Sequence, residues 1–155
     1  MASTFTCLDY HVVFSTKYRK PLIHERMREE LYQYLGGIIR GEGGCLREIG
    51  GMPDHLHLLV GLPPTIALSD AVRIFKASSS KWVNERDDCA TKFQWQTGYA
   101  AFSVSFSQRE AVQRYIQNQR DHHRQRSFQE ELIELLERHH IEYDPQYVFE
   151  QEHVG

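Results

Sequence analysis

The 155-residue sequence lacks several features that would place it outside ordinary globular proteins. Its three cysteines, Cys7, Cys45 and Cys89, form no Cys-x-x-Cys pair, which argues against a disulfide framework or a cysteine zinc site. No apolar run approaches the roughly 20 residues that cross a membrane, and no basic segment precedes a hydrophobic one at the N-terminus. We therefore expect a cytoplasmic protein with reduced thiols and no membrane partner.

A large excess of charge of one sign is also missing, because the net charge of the chain is -3. This average hides an asymmetry. From Ser127 onward there are eight acidic residues and only Arg138 as a base, whereas residues 1–126 carry a net charge of +4. A mildly basic body can bind a phosphate backbone, but such charge is also common in proteins that bind no nucleic acid. Charge alone leaves the partner open.

The most informative stretch is GGMPDHLHLLVGL, at positions 50–62. Side chains alternate between the two faces of a strand, so His55 and His57 project to one face while Leu56, Leu58 and Val60 project to the other. Two imidazoles spaced in this way can bind one metal ion, although two ligands do not complete a site. The alternative is a pair of ordinary surface histidines.

Hydrophobic periodicity predicts an alternation of strands and helices followed by two further helices. Strands are predicted at 5–15, 45–50, 54–62 and 93–106. Helices are predicted at 24–40, 67–86, 108–124 and 127–140, the last with Ser127 as N-cap and Glu130 in the capping-box position.

The order β-α-β-β-α-β, followed by helices, predicts an α+β chain with a ferredoxin-like split βαβ fold. In this architecture two helices cover one face of an antiparallel sheet. The other face is left for function, and a C-terminal helix belongs on it. We expect His55 and His57 on that second face.

The third predicted helix is poor in apolar residues, so core packing explains it less well than a polar function does. Tyr115 and Gln119 are four residues apart and share a face of this helix, with Asn118 and His122 beside them. The alternative is a solvated helix with a surface tyrosine. The His-x-His strand makes a functional role the better interpretation.

Two segments together, MPDHLHLLV at 52–60 and YIQNQRDHH at 115–123, resemble the single-tyrosine HUH transposases of minimal insertion sequences. These belong to the IS200-like superfamily, which includes the REP-associated tyrosine transposases, and they move as single-stranded DNA. The similarity extends from YHVVFSTKYRKPLI to IEYDPQY. The histidine pattern alone is short, but its combination with a Tyr-x-x-x-Gln helix in this order of elements is specific.

The resemblance implies that Tyr115 is the nucleophile and that His55, His57 and Gln119 bind a divalent ion, Mg²⁺ or Mn²⁺. It implies a metal-dependent transposase that cleaves and rejoins single-stranded DNA at element ends through a covalent 5′-phosphotyrosine, leaving a free 3′-hydroxyl. The expected partners are single strands with a hairpin at the element ends. The expected assembly is a homodimer in which the tyrosine helix of one subunit can serve the histidines of the other.

The resemblance also implies a domain organisation. We expect residues 1–126 to form the HUH catalytic domain. Residues 127–155 are expected to add a C-terminal helix and an acidic arm to the same domain.

The residue types suit this chemistry. A hard divalent ion held by three protein groups keeps open positions for the non-bridging oxygens of a phosphodiester. A phenol with an ordinary pKa of about 10 needs the field of such an ion to form the phenolate. Attack by tyrosine conserves the bond energy in a phosphotyrosine, so the strand can pass to a new 3′-hydroxyl without ATP. A simple nuclease has no need of this intermediate.

Several basic side chains are candidate phosphate contacts, although each is also explained as a solvated charge. They are Lys17, Arg19, Lys20, Arg73, Lys76, Lys81, Arg120, Arg124 and Arg126. Asp54 either orients the imidazole of His55 or serves as a turn residue after Pro53.

Three other functions are open at this point. A host-adapted relative would process dispersed palindromic repeats by the same chemistry. A non-catalytic module would bind single-stranded DNA with structural histidines. A metallo-hydrolase would use the histidine pair to activate water, with no covalent step.

Overall fold

The structure, a computed structural model, describes residues 3–86, 91–119, 126–146 and 148. Four strands form one antiparallel sheet in the order β2-β3-β1-β4. The strands are β1 (Asp9–Ser15), β2 (Cys45–Met52), β3 (His55–Gly61) and β4 (Ala100–Val104). The helices are α1 (Glu25–Gly41), α2 (Leu68–Asn84), α3 (Arg109–Gln117) and α4 (Phe128–Arg138). This topology confirms the predicted split βαβ fold.

The main core lies between one face of the sheet and the helices α1 and α2. Val12 and Phe14 of β1 project into it, as do the alternating apolar residues of β3. The helices supply apolar side chains at helical spacing, which explains why both are amphipathic. These are Met27, Leu31, Leu35 and Ile39 of α1, and Ala71, Val72, Phe75 and Val83 of α2. The predicted division of β3 into an apolar face and a histidine face is confirmed.

The second face of the sheet carries α3 and α4. Val13 and Phe102 pack against the apolar stripe of α4, and Leu59 packs against Ile116 of α3. The expectation of a C-terminal helix on this second face is therefore confirmed. The four apolar side chains of α4 need a partner surface, and the sheet provides it. They are Phe128, Leu132, Leu135 and Leu136.

The fourth strand is shorter than predicted, because the segment before it pairs with the end of β1 only through an isolated antiparallel bridge between Thr16 and Trp95. The backbone N–H and C=O of Phe93 bond to the side chain of Asn84, at 2.8 and 3.0 Å, instead of to a neighbouring strand. Trp95 then packs edge-on against both Phe14 and Phe93 in the main core. The aromatic composition that predicts a strand here serves side-chain burial instead.

Other boundaries follow the predictions closely. The hydroxyl oxygen of Ser127 accepts a hydrogen bond from the backbone N–H of Glu130 at 3.2 Å, which confirms the predicted cap of α4. The predicted third helix reaches Arg124, but residues 120–125 lie outside the described part of the chain. Among the described residues, no helix combines the length and apolar character needed to cross a bilayer.

Candidate active site

Both histidines of β3 direct their Nε2 atoms toward one carboxylate beneath α3 and α4. His57 Nε2 lies 2.9 Å from Glu131 Oε1, and His55 Nε2 lies 3.5 Å from the same oxygen. All three side chains have no exposed surface. Strand alternation places the two imidazoles, and the packing of α4 brings the carboxylate to them.

The Nδ1 atoms of both histidines have partners farther from Glu131. His55 Nδ1 lies 2.7 Å from Asp54 Oδ1, and His57 Nδ1 lies 2.8 Å from His11 Nε2. Such contacts fix the orientation of an imidazole and leave its Nε2 available to a ligand. Asp54 belongs to the turn between β2 and β3 and also contacts the imidazole of His55.

The pKa values of His11 and His55 are shifted in opposite directions. Burial, aided by the neighbouring His57, lowers the pKa of His11 to about 3, so its ring is neutral and can accept a hydrogen bond. Burial alone would lower the pKa of His55, but hydrogen bonds to Asp54 and Glu131 outweigh it and raise this pKa to about 9. The site thus favours positive charge between Asp54 and Glu131, which a cation can supply in place of the proton.

Tyr115 of α3 reaches the same carboxylate. Its hydroxyl donates a hydrogen bond to Glu131 Oε2, and Arg126 Nη2 donates to the hydroxyl oxygen at 3.4 Å. Burial, together with the charge of Glu131, raises the pKa of Tyr115. The phenol is therefore protonated at neutral pH, and its ionisation needs both a proton acceptor and positive charge nearby.

Gln119, just beyond α3, completes the group. Its Oε1 lies 3.2 Å from His55 Nε2, and its Nε2 donates to Glu131 Oε2 at 3.0 Å. The amide is buried, and this hydrogen-bond pattern assigns its two ends. The structure thus brings together Tyr115, Gln119 and the two histidines that the sequence singled out.

The donor atoms fit a divalent ion. One ligand atom from each of His55, His57 and Glu131 lies within 4.8 Å of the others. Mg²⁺ holds its ligands at about 2.1 Å in an octahedron, which spaces adjacent ligands about 3 Å apart. The donor separations of 2.9, 3.2 and 3.5 Å are of this size. Two imidazoles with a carboxylate and an amide oxygen form a donor set that Mn²⁺ and related ions accept.

Two residues of this site, Glu131 and His11, were not identified from the sequence. Glu131 had a signal, because it lies within the apolar stripe of α4, next to Leu132 and one turn before Leu135. An acidic residue in a buried stripe needs a partner. The sequence signal for His11 was weaker. This residue alternates with Val12 and Phe14 along β1 and so belongs to the second face of the sheet. Its approach to His57 depends on the pairing register, which places Val13 opposite His57.

The first group of candidate DNA contacts lies near the histidines. Lys17 and Arg19 form a 3-10 turn after β1, and Lys20 follows it. The backbone N–H of Thr16 donates to the carbonyl of Asp54 at 2.9 Å, so this turn adjoins the start of β3. The structure therefore places three cations at the same end of the sheet as His55.

The second group lies on the opposite face of the sheet. Arg73 and Lys76 of α2 line a cavity of about 590 Å³ together with Trp95 and Tyr99. The structure brings these two cations together but separates them from Tyr115 by the sheet. Arg120 and Arg124, like His122, lie outside the described residues.

A cavity of about 610 Å³ gives access to Tyr115 from the side of β4. Its walls include His11, Tyr115, Phe102 and residues of α4, among them His139. The rings of Phe102 and His139 are stacked, with centroids 4.1 Å apart. The lining includes Tyr115 but not His55, His57 or Glu131.

The profile of the family described as "Transposase IS200 like" matches residues 4–119. The chain belongs to this family. ISDra2 transposase TnpA of Deinococcus radiodurans is 28% identical over 119 residues, which cover 74% of this chain and 85% of that protein. The transposase for insertion sequence element IS200 of Salmonella typhimurium is 27% identical over 124 residues, 77% of this chain and 81% of that protein. The IS200-like chain is thus a DNA-processing enzyme with transposase function.

Solved structures show the same architecture. A crystal structure of a candidate transposase from Deinococcus radiodurans R1 matches with a TM-score of 0.59 and 27% identity, covering 77% of this chain and 95% of that one. A REP-associated tyrosine transposase bound to a REP hairpin matches with a TM-score of 0.56, covering 76% of this chain and 72% of that one. At 13% identity the second likeness shows the fold alone. The family match ends at Gln119, so Glu131 of this IS200-like chain lies beyond it.

Proposed function

We propose that this transposase cleaves single-stranded DNA by attack of the Tyr115 hydroxyl on a phosphodiester, with His55, His57, Gln119 and Glu131 holding a divalent ion. The observation that carries the proposal is the hydrogen bond from Tyr115 to Glu131, the carboxylate that both histidines face. A nucleophile and a set of metal-ligand atoms are thereby joined through one residue.

Each side chain has a distinct task. His55, His57 and Glu131 would hold the ion, and the amide oxygen of Gln119 would supply a fourth ligand. Bound Mg²⁺ or Mn²⁺ would neutralise charge on the non-bridging oxygens of the phosphodiester. Arg126 stabilises negative charge at the phenol oxygen, to which it already donates a hydrogen bond.

The bonds balance as a transesterification. The phenol oxygen bonds to phosphorus, the bond from phosphorus to the 3′-oxygen breaks, and the products are a 5′-phosphotyrosine and a free 3′-hydroxyl. A second 3′-hydroxyl then attacks the phosphotyrosine and releases Tyr115. Because one phosphoester replaces another at each step, the reaction needs no external energy source.

The partner in this proposal is single-stranded DNA that forms a hairpin at the ends of a mobile element. A protein of the same fold is bound to a REP hairpin, which supports this class of partner. The turn at 17–20 is suited to contact the strand near the metal site. Arg73 and Lys76 are suited to contact phosphates on the other face of the sheet. Arg120 and Arg124 complete the proposed contacts.

The proposed domain is continuous. Residues 1–126 supply the sheet, the histidines and the tyrosine, and residues 127–155 supply Glu131 on α4 and the acidic arm. The packing of Leu132 and its neighbours against Val13 and Phe102 supports a single domain.

The resemblance implies a homodimer, and the geometry bears on how its subunits would share the chemistry. Tyr115 contacts Glu131 within one chain, which supports cleavage in cis in this conformation. A mixture of Tyr115→Phe and His57→Ala proteins tests the alternative. We expect the mixture to stay inactive. Recovery of cleavage would instead demonstrate a site built from two subunits.

The proposal is tested by capture of the covalent intermediate. The protein is incubated with Mn²⁺ and single-stranded oligonucleotides that tile both strands of the DNA flanking its gene, and the products are separated on a denaturing gel. A 3′-label should shift with the protein, whereas a 5′-label should leave on a shorter strand. Tyr115→Phe should abolish the shift, and Tyr34→Phe, which changes an exposed tyrosine of α1, should not.

The outcomes separate the remaining alternatives. A metallo-hydrolase would give two shorter strands with neither attached to protein. A non-catalytic module would retard intact DNA equally in wild type and Tyr115→Phe. Either result, obtained with oligonucleotides that the protein binds, would refute a phosphotyrosine mechanism.

A further inference from the structure

We propose that Glu131 is a catalytic residue that accepts the proton of Tyr115 as its phenol oxygen attacks phosphorus. This inference rests on the proposed phosphotyrosine reaction and extends it. Holding a metal is one task of this carboxylate, and taking the proton of the nucleophile is a second, separate one.

The two oxygens of Glu131 face different groups. Oε1 faces the imidazoles, at 2.9 Å from His57 Nε2 and 3.5 Å from His55 Nε2. Oε2 accepts hydrogen bonds from Tyr115 and Gln119. A cation on Oε1 would therefore leave Oε2 in position to receive a proton from the phenol.

The contacts at Oε2 are those of a hydrogen-bond acceptor. The amide of Gln119 donates to Oε2, and Tyr115 donates to the same atom while it accepts from Arg126. An ionised carboxylate is purely an acceptor, so every one of these contacts agrees with it. The acceptor already lies on the path that the phenol proton must take.

Gln119 is poorly suited to the same task. It touches Glu131 and His55 within the site, but a neutral amide does not take up a proton at ordinary pH. Arg126, which also contacts the phenol oxygen, is a cation and only donates. Of these contacts, the carboxylate is the one that can hold the proton.

The proton balance is complete without another reactant. In cleavage the O–H bond of Tyr115 breaks, its proton moves to Oε2, and the departing 3′-oxygen takes up a proton in exchange through water. In rejoining, the attacking 3′-hydroxyl gives up its proton, and protonated Glu131 returns one to the phenol oxygen as that oxygen leaves. The residue thus acts as base in one half-reaction and as acid in the other.

The test uses Glu131→Gln, which keeps one oxygen ligand and nearly the same shape but holds no proton. With the 3′-labelled oligonucleotide that wild type cleaves, we expect adduct formation to slow by about 10²–10⁴-fold, the usual contribution of a general base. Mn²⁺ affinity, measured on the same protein by titration calorimetry, should fall far less. Glu137→Gln, which alters an exposed residue of the same helix, should change neither quantity.

A more acidic nucleophile provides the decisive measurement. Difluorotyrosine at position 115 ionises more easily than tyrosine, so it depends less on a base. The rate ratio between Glu131 and Glu131→Gln proteins should then shrink by about tenfold or more. An unchanged ratio would overturn the proposal, and so would loss of Mn²⁺ binding in proportion to the rate, which would leave Glu131 as a ligand only. Absence of an adduct from wild type would refute the phosphotyrosine reaction itself.

Discussion

Gly50 of β2 lies directly beneath Ile116 of α3, so closely that a Cβ atom on Gly50 would stand 2.6 Å from the carbonyl oxygen of Ile116. The neighbouring Tyr115 and the nearby Gln119 are therefore held over the histidine strand by a contact that a side chain would prevent. The two glycines that precede the histidine motif serve a structural purpose. Gly51 likewise packs against the backbone of His55, because a Cβ atom on Gly51 would stand 2.2 Å from the carbonyl oxygen of His55.

We predict that Gly50→Ala shifts the C-terminal end of α3 and weakens the active site. The added methyl group meets backbone, which cannot rotate away, so we expect a loss of about 1–3 kcal/mol in the free energy of unfolding. Adduct formation should fall more steeply than stability, because Tyr115 moves with the helix. Gly37→Ala is the matched control, since a Cβ atom there would meet only the flexible end of Arg40 at 3.9 Å. Equal effects of the two substitutions would contradict this account.

We predict that Asp54→Ala lowers Mn²⁺ affinity by about 10–100-fold, because the imidazole of His55 loses the partner of its Nδ1 atom. His57→Ala, which removes a ligand, should cost more. Titration calorimetry with Mn²⁺ on the two variants gives the comparison. Asp70→Ala, an exposed change on α2, serves as control. If Asp54→Ala binds Mn²⁺ as wild type does, the aspartate is only a turn residue.

We predict that His11 makes the protein less stable in acid. Its pKa is about 3 when folded and about 6.5 in an unfolded chain, so the unfolded state binds more protons between these values. The contribution of neutral His11 is complete above pH 6.5 and is lost as pH falls toward 3. Its full size is on the order of a few kcal/mol.

Denaturant unfolding of wild type and His11→Gln across this pH range isolates the effect. The difference in the free energy of unfolding should decline as pH falls, since glutamine does not titrate. His55 acts in the opposite sense, because its raised pKa favours the folded state below about pH 9, but it is present in both proteins. A difference that does not vary with pH would show that His11 is not buried in neutral form.

We predict that Leu132→Ala destabilises the protein by about 2–5 kcal/mol, the usual cost of emptying a core position. The side chain is 7% exposed and packs α4 against the sheet. Adduct formation should fall as well, because Glu131 is its neighbour on the helix. Ile141→Ala, at a residue that is 40% exposed, should stay within about 0.5 kcal/mol of wild type. Thermal unfolding followed by circular dichroism gives both values.

Local periodicity explains how much of this site could be predicted. The two-residue repeat of a strand places His55 and His57 side by side, and the helical repeat places Tyr115 and Gln119 on one face. Both relationships lie within single elements, so the sequence contains them directly.

The other relationships join distant elements. Glu131 meets His57 only because α4 docks on the second face of the sheet, and His11 meets it only through the register of β1 and β3. The same reason explains the error in the fourth strand. The side chain of Asn84, from the preceding helix, takes the backbone groups of Phe93 that a neighbouring strand would otherwise bind. Packing between distant elements determines these contacts and the length of the fourth strand, and it cannot be inferred from local composition.

The burial of His55, His57 and Glu131 beneath α4 has a kinetic consequence. Because these side chains have no exposed surface, binding of the proposed ion would require a local opening of the packing around them. Openings of this kind have their own equilibrium, separate from global unfolding. The frequency of such openings would then limit the rate at which the proposed ion binds, whatever its concentration.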